Sequence, residues 1–220
     1  HTSQYISKGY EIFKQNAGGF IGFIILAFFI RTIAAFIPAI GTVFSIILIP
    51  LYIGVNIVAK KIDQNEPYEF GNFFDGYKKM SPLIGAAFIQ GLLAIAMMLI
   101  AFVPFFLSYG IDFFSTLENS SISDSRFMTL IITMVILIVL FIFIFVAWTL
   151  SSQLIVFNNN GAWQSMEISR KIVSKKYFNW LGFVILLALI NFAGALCFLI
   201  GLLITIPTTL CAMYVAYEDV

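Results

Sequence analysis

Six stretches of this chain run for about the thickness of a bilayer with almost no charge, and amphipathic segments precede three of them. A spanning helix needs about 20 mainly apolar residues, because the hydrocarbon core is about 30 Å thick and each residue rises about 1.5 Å. By that rule residues 20–37, 42–59, 83–107, 127–157, 181–199 and 202–217 are predicted to cross a membrane. Only Pro38, Ala39, Ile40 and Gly41 separate the first two, and Ile200-Gly201 separates the last two, so each pair reads as a tight antiparallel hairpin. A β-barrel is the other structure that satisfies its backbone in lipid, but barrel strands alternate in polarity and 131–146 does not. The expected fold is all-α: one transmembrane domain, 1–220, of six helices arranged as three hairpins.

The fourth stretch is too long for one crossing. Its 31 residues would extend about 46 Å. Trp148 is expected at the inner interface, where indoles favour the headgroup level, with residues from Thr149 onward continuing into the cytoplasm. The alternative is a strongly tilted helix with Ser151, Ser152 and Gln153 lining a wet cavity.

Before each hairpin lies a stretch with one apolar, aromatic face at helical spacing. Tyr5, Ile6, Gly9, Tyr10, Ile12 and Phe13 oppose Lys8, Glu11, Lys14 and Gln15. Phe70, Phe73, Phe74, Tyr77 and Met80 oppose Asp75, Lys78 and Lys79, while Trp163, Met166, Val173, Tyr177 and Trp180 oppose Gln164, Glu167, Arg170 and Lys171. Aromatic faces with basic flanks suit helices lying in the headgroup plane, with Tyr10, Phe13, Phe73, Phe74, Tyr77, Trp163 and Trp180 as interface aromatics. Packing against the inner ends of the bundle is the other use of such a face.

The outer hairpins, 20–59 and 181–217, resemble each other. An offset of 160 residues gives eight identities over 22–41, and Pro50 and Pro207 fall at similar places in the second helix of each pair. Both hairpins would start on the same side, so they read as parallel repeats rather than an inverted pair.

Charge orients the chain. Lys and Arg accumulate in cytoplasmic loops, and ten of the twelve here fall on one side, with Arg126 on the other and Arg31 inside a span. Both termini are therefore expected in the cytoplasm, and the protein in a bacterial inner membrane. The composition, 61% hydrophobic and 10% charged, excludes a soluble enzyme and a nucleic-acid module. His1 reads as a tag remnant or an altered start, and Cys197 and Cys211 as small hydrophobes in apolar runs rather than a disulfide.

Little chemistry remains. One His and two lone Cys make no metal cluster, no Gly-rich phosphate loop occurs, and no span carries Asp or Glu. No catalytic, cofactor or metal site is expected, and Asp63, Glu66, Glu69 and Asp75 read as a solvated loop. Polar residues in spans are the better lead, since burying them in lipid is costly. They are Arg31, Asn56, Gln90 and Asn191. Arg31 and Asn191 coincide under the 160-residue offset. Arg31 reads either as snorkelling toward outer phosphates or as sharing with Asn191 a site for a lipid phosphate or headgroup.

Gly9-Tyr10, Phe73-Phe74-Asp75-Gly76-Tyr77, the Gly41/Pro50 and Gly201/Pro207 hairpins and the closing Tyr214-Val215-Ala216-Tyr217-Glu218-Asp219 together resemble a family. It comprises six-helix bacterial membrane proteins that include the membrane domain attached to some glycerophosphodiester phosphodiesterases. The resemblance implies a fold and a location and carries no catalytic residue. The function expected is a non-enzymatic scaffold that engages membrane lipids or organises another membrane protein. The alternative is a small transporter or lipid-translocating protein with a groove between hairpins.

Overall fold

The computed structural model describes residues 2–36, 48–109, 124–197 and 200–220. Among these the chain is helical, with no strand. In order come α1 (Thr2–Gln15), α2 (Ala17–Ala35), α3 (Ile49–Asp63), a 3₁₀ segment (Phe70–Lys79), α4 (Met80–Tyr109), α5 (Asp124–Ala147), α6 (Ser151–Phe157), α7 (Ala162–Lys175), α8 (Tyr177–Leu196) and α9 (Leu202–Glu218). The expected turn at 38–41 and the loop with Asp112 and Glu118 lie outside the described residues.

Three helical stretches are long and apolar enough to cross a membrane: Phe70–Ile100, Ile131–Phe157 and Tyr177–Leu196. A fourth is added if α1 and α2, bent by 93°, count as one span. That is fewer than the six expected, for two reasons. The 17 residues of α9 reach only about 25 Å, and residues 42–47 of the stretch 42–59 lie outside the described residues, leaving α3 with 15.

His1–Ala87 and Ala147–Val220 form one compact unit, and Phe88–Val146 a second. In the most apolar windows of Phe70–Ile100 and Ile131–Phe157 only 11% is buried, and Ile100 and Met134 are 71% and 66% exposed. Such helices are stable only in apolar surroundings, because bare apolar area this large drives association in water.

The first unit has a core of Ile12, Phe13, Phe20, Phe23, Ile24, Leu51, Val55, Val58, Phe73, Cys211 and Tyr214. Phe73 is its centre: its ring stacks on Phe23 at 4.5 Å and meets Phe20 edge-on at 5.3 Å. This differs from an interface aromatic layer facing lipid. Phe73, Phe13 and Trp180 are 0%, 4% and 8% exposed, so these rings serve protein packing, whereas Tyr10 and Trp163 stay open.

Local chemistry sets the joints. Asn16 caps α2 by accepting the Gly19 amide at 3.2 Å, which ends α1 and allows the 93° elbow. α7 is as long as α1, 14 residues, and gives way to α8 at Lys176, 160 positions after Asn16. α3 ends in a Schellman-type cap: Asn65 takes φ 54°, the Glu66 amide donates to the Lys61 carbonyl at 2.8 Å and the Asn65 amide to the Ile62 carbonyl at 3.1 Å. The long fourth stretch is broken. α5 stops at Ala147, residues 148–150 turn, and α6 resumes with Ser151 and Gln153 buried in the protein instead of running into solvent.

The three amphipathic segments pack in a cyclic order. α1 lies on α9, the 3₁₀ segment on α3, and α7 on α6. The 3₁₀ segment and α7 thus each pack on the helix just before them in the chain, and α1 packs on the last helix, α9. Each brings a small residue to the contact. A Cβ on Gly9 would stand 2.5 Å from the Ala212 amide nitrogen, and one on Gly76 2.1 Å from the Pro50 carbonyl oxygen. In α7 the small residue is Ser169. Its hydroxyl donates to the Ala147 carbonyl at 2.8 Å and accepts from the Leu150 amide at 3.2 Å, filling the α5/α6 break.

Candidate functional site

Arg31 and Asn191, two of the polar residues in apolar runs, take up comparable positions. Arg31 on α2 donates from Nη1 to the Tyr52 hydroxyl of α3 at 3.5 Å, and Asn191 on α8 donates from Nδ2 to Thr209 Oγ1 of α9 at 3.1 Å. Tyr52 is two residues after Pro50 and Thr209 two after Pro207, so the two contacts fall at similar places relative to the prolines. One polar link joins α2 to α3 and the other joins α8 to α9. Arg31 and Asn191 thus engage different partners instead of one another. Arg31 is exposed, which suits a cation reaching headgroups.

Around Asn191 the polar groups are unevenly satisfied. Its amide also donates to the Leu187 carbonyl at 3.1 Å, while its Oδ1 and Thr205 Oγ1 are buried without a partner. Pro207 has no amide to close on Leu203, and the next two residues turn their hydroxyls back on the helix. Thr208 donates to Ile204 at 2.7 Å and Thr209 to Ile206 at 2.9 Å. Gln90 lies on α4 in the second unit.

Asn56 belongs to a different group. It is 2% exposed and its Oδ1 has no partner, as is true of Gln153 Oε1 and Ser165 Oγ. Lys60 Nζ stands 4.8 Å over the Phe157 ring, and Tyr214 touches both Phe157 and Asp63, so the C-terminal ends of α3 and α6 meet. Sequence reading singled out Asn56 and treated Gln153 mainly as cytoplasmic. Ser165, on a polar-looking helix, gave no signal at all.

Where α3 and α9 finish, charged and phenolic groups tie the elements together. Asp63 takes Lys8 Nζ of α1 at 2.9 Å and the Tyr214 hydroxyl of α9 at 3.2 Å. Lys79 bonds Asn159 and Tyr217 bonds Asn158. In the 3₁₀ segment Asp75 accepts from Lys78 at 2.6 Å and Asn72 at 2.8 Å, and the Lys78 contact above all holds its carboxyl below the usual range. Phe74 and Tyr77 are half-buried and pack against the core.

A cavity of about 180 Å³ opens among α1, the start of α8 and the end of α9. The Tyr5 hydroxyl donates to Asp219 there, and chiefly through that bond the phenol is pushed up to about 12. Among the described residues no group of three or more His, Cys, Asp or Glu is placed to hold a metal ion. Comparison with protein-family models, curated proteins and solved structures finds no match to this chain.

Proposed function

We propose that this chain is a non-enzymatic multi-pass protein of a bacterial inner membrane, a scaffold that engages membrane lipid or organises a partner membrane protein. Six spans in three hairpins, both termini cytoplasmic, and kinship with the membrane domain of glycerophosphodiester phosphodiesterases belong to the same proposal. The observation that carries it is the contrast between the two units. One is a packed assembly of aromatic and basic segments, and the other presents bare apolar helices that need lipid or a partner. The test is native mass spectrometry and lipid analysis after extraction in mild detergent. Bound phospholipid or a stoichiometric partner protein is expected. A bare chain whose thermal stability is unmoved by added lipid would overturn the reading.

One observation favours a second reading, transport. Asn56, Gln153 and Ser165 carry buried oxygens without partners, and such groups are ordinarily satisfied by water or a ligand. In a chain cleared of native cysteines, a cysteine at Gln153 that reacts with a small polar thiol reagent in sealed membranes would favour a hydrated path. Lack of reaction beside a reactive surface control would remove it.

A further inference from the structure

The cavity beside Tyr5 has a wall chemistry that none of these roles uses. Its lining includes Tyr5, Lys176, Asn179, Trp180, Phe183 and Asp219. The rings stand nearly perpendicular to one another: Tyr5 meets Phe183 at 79° and 5.7 Å, and Trp180 meets Phe183 at 76° and 5.9 Å. Rings that line a cavity can offer an organic cation their negative faces, and here Tyr5, Trp180 and Phe183 contribute to the lining. A carboxylate, Asp219, and a cation, Lys176, line the same cavity. Among the described residues these two opposite charges form no ion pair, with each other or with any other group; Asp219 takes the Tyr5 hydroxyl.

Unpaired opposite charges across one small cavity suit a ligand that carries both signs. We propose that this cavity binds a phosphoethanolamine zwitterion, the headgroup of an ethanolamine phospholipid. Its ammonium would sit between the aromatic rings and Asp219, and its phosphate at Lys176 and Asn179. The size agrees: about 180 Å³ takes a headgroup and falls short of the roughly 300–1,000 Å³ of clefts that enclose a whole drug-sized ligand. The location agrees as well. The cavity lies at the first turn of the apolar helix α8, next to one of the stretches long and apolar enough to cross a membrane. A primary ammonium is favoured over a trimethylated one because it has N–H donors for the Asp219 carboxylate.

This inference deepens the lipid-engaging reading and rests on it. The test is native mass spectrometry of the purified chain titrated with phosphatidylethanolamine, phosphatidylglycerol or phosphatidylcholine of matched acyl chains. An ethanolamine preference of about fivefold or more is expected, the scale of one cation–π or charge-assisted contact. Asp219→Asn should abolish the preference, and Lys176→Gln should weaken both ethanolamine and glycerol lipids. Tyr5→Phe should keep it, because the carboxylate is then freed for the ammonium. A preference that survives Asp219→Asn, or is lost equally in Tyr5→Phe, overturns the site. Lipid bound without preference also overturns it while leaving the lipid-engaging reading intact, and no lipid bound at all removes both. Titration with soluble phosphoethanolamine separates the sources. Saturable binding lost in Asp219→Asn supports a free ligand, and an ethanolamine preference seen only with the phospholipid supports the lipid.

Discussion

Ser169 satisfies two backbone groups that the interrupted α5/α6 helix leaves over, the Ala147 carbonyl and the Leu150 amide. Removing its hydroxyl strands both in the interior. Ser169→Ala should therefore cost about 1–3 kcal/mol, read from denaturant or thermal unfolding in detergent. Ser165, one turn away and equally buried, has no partner, so Ser165→Ala should be neutral or mildly stabilising. Equal losses in the two variants would disprove this account of the break. Nothing local in the sequence marks Ser169. It reads as one more polar residue on an amphipathic helix, and its partners lie 19 and 22 residues upstream. Arg31, Asn56 and Asn191 were legible because polar groups inside apolar runs stand out. What each one touches was not, since partners are chosen by packing.

Between elements, the closest approaches are made where glycine removes the side chain. A Cβ on Gly54 would lie 1.8 Å from the Phe73 carbonyl oxygen, and the Gly76 contact with Pro50 is nearly as tight. Neither neighbour can yield, because each is backbone. Gly54→Ala and Gly76→Ala should each destabilise the first unit by about 1–3 kcal/mol or more. Gly22→Ala and Gly182→Ala meet open space in helices and should be neutral or stabilising by up to about 1 kcal/mol. A thermal-shift series over the four variants checks the contrast. Helix positions were readable because hydropathy and the 3.6-residue period are local properties. The period shows that a face is apolar, yet it cannot distinguish lipid from α9 or α3 as its partner. That is why Phe13 and Phe73 fit the interface pattern and nevertheless lie in the core.

For the whole molecule, the basic residues make the proposed topology testable. Once Cys197 and Cys211 are replaced, a cysteine at Ser121 should react with an impermeant thiol reagent in intact cells, and one at Gln64 only after permeabilisation. The reverse pattern would refute cytoplasmic termini. The division of the fourth stretch at residues 148–150 has a cause at this scale too. A 31-residue apolar run exceeds one crossing, and α7 packs on the surplus as a separate short helix, α6.

The cyclic packing order also imposes a schedule on synthesis. α1 emerges first, yet the surface that receives Gly9 is on α9, around Ala212. At roughly 5–20 residues per second, the intervening 203 residues take roughly 10–40 s to make. Throughout that interval α1 has only its contacts with the elements made soon after it, such as Phe13 on Phe20 of α2 and Lys8 on Asp63 of α3, and lacks the α9 surface around Ala212. The 3₁₀ segment follows α3 within 22 residues, counting from Gly54 to Gly76, and can dock almost as soon as it is made. The docking of α1 on α9 therefore waits for a segment made about 200 residues later, while the 3₁₀ segment finds its partner at once.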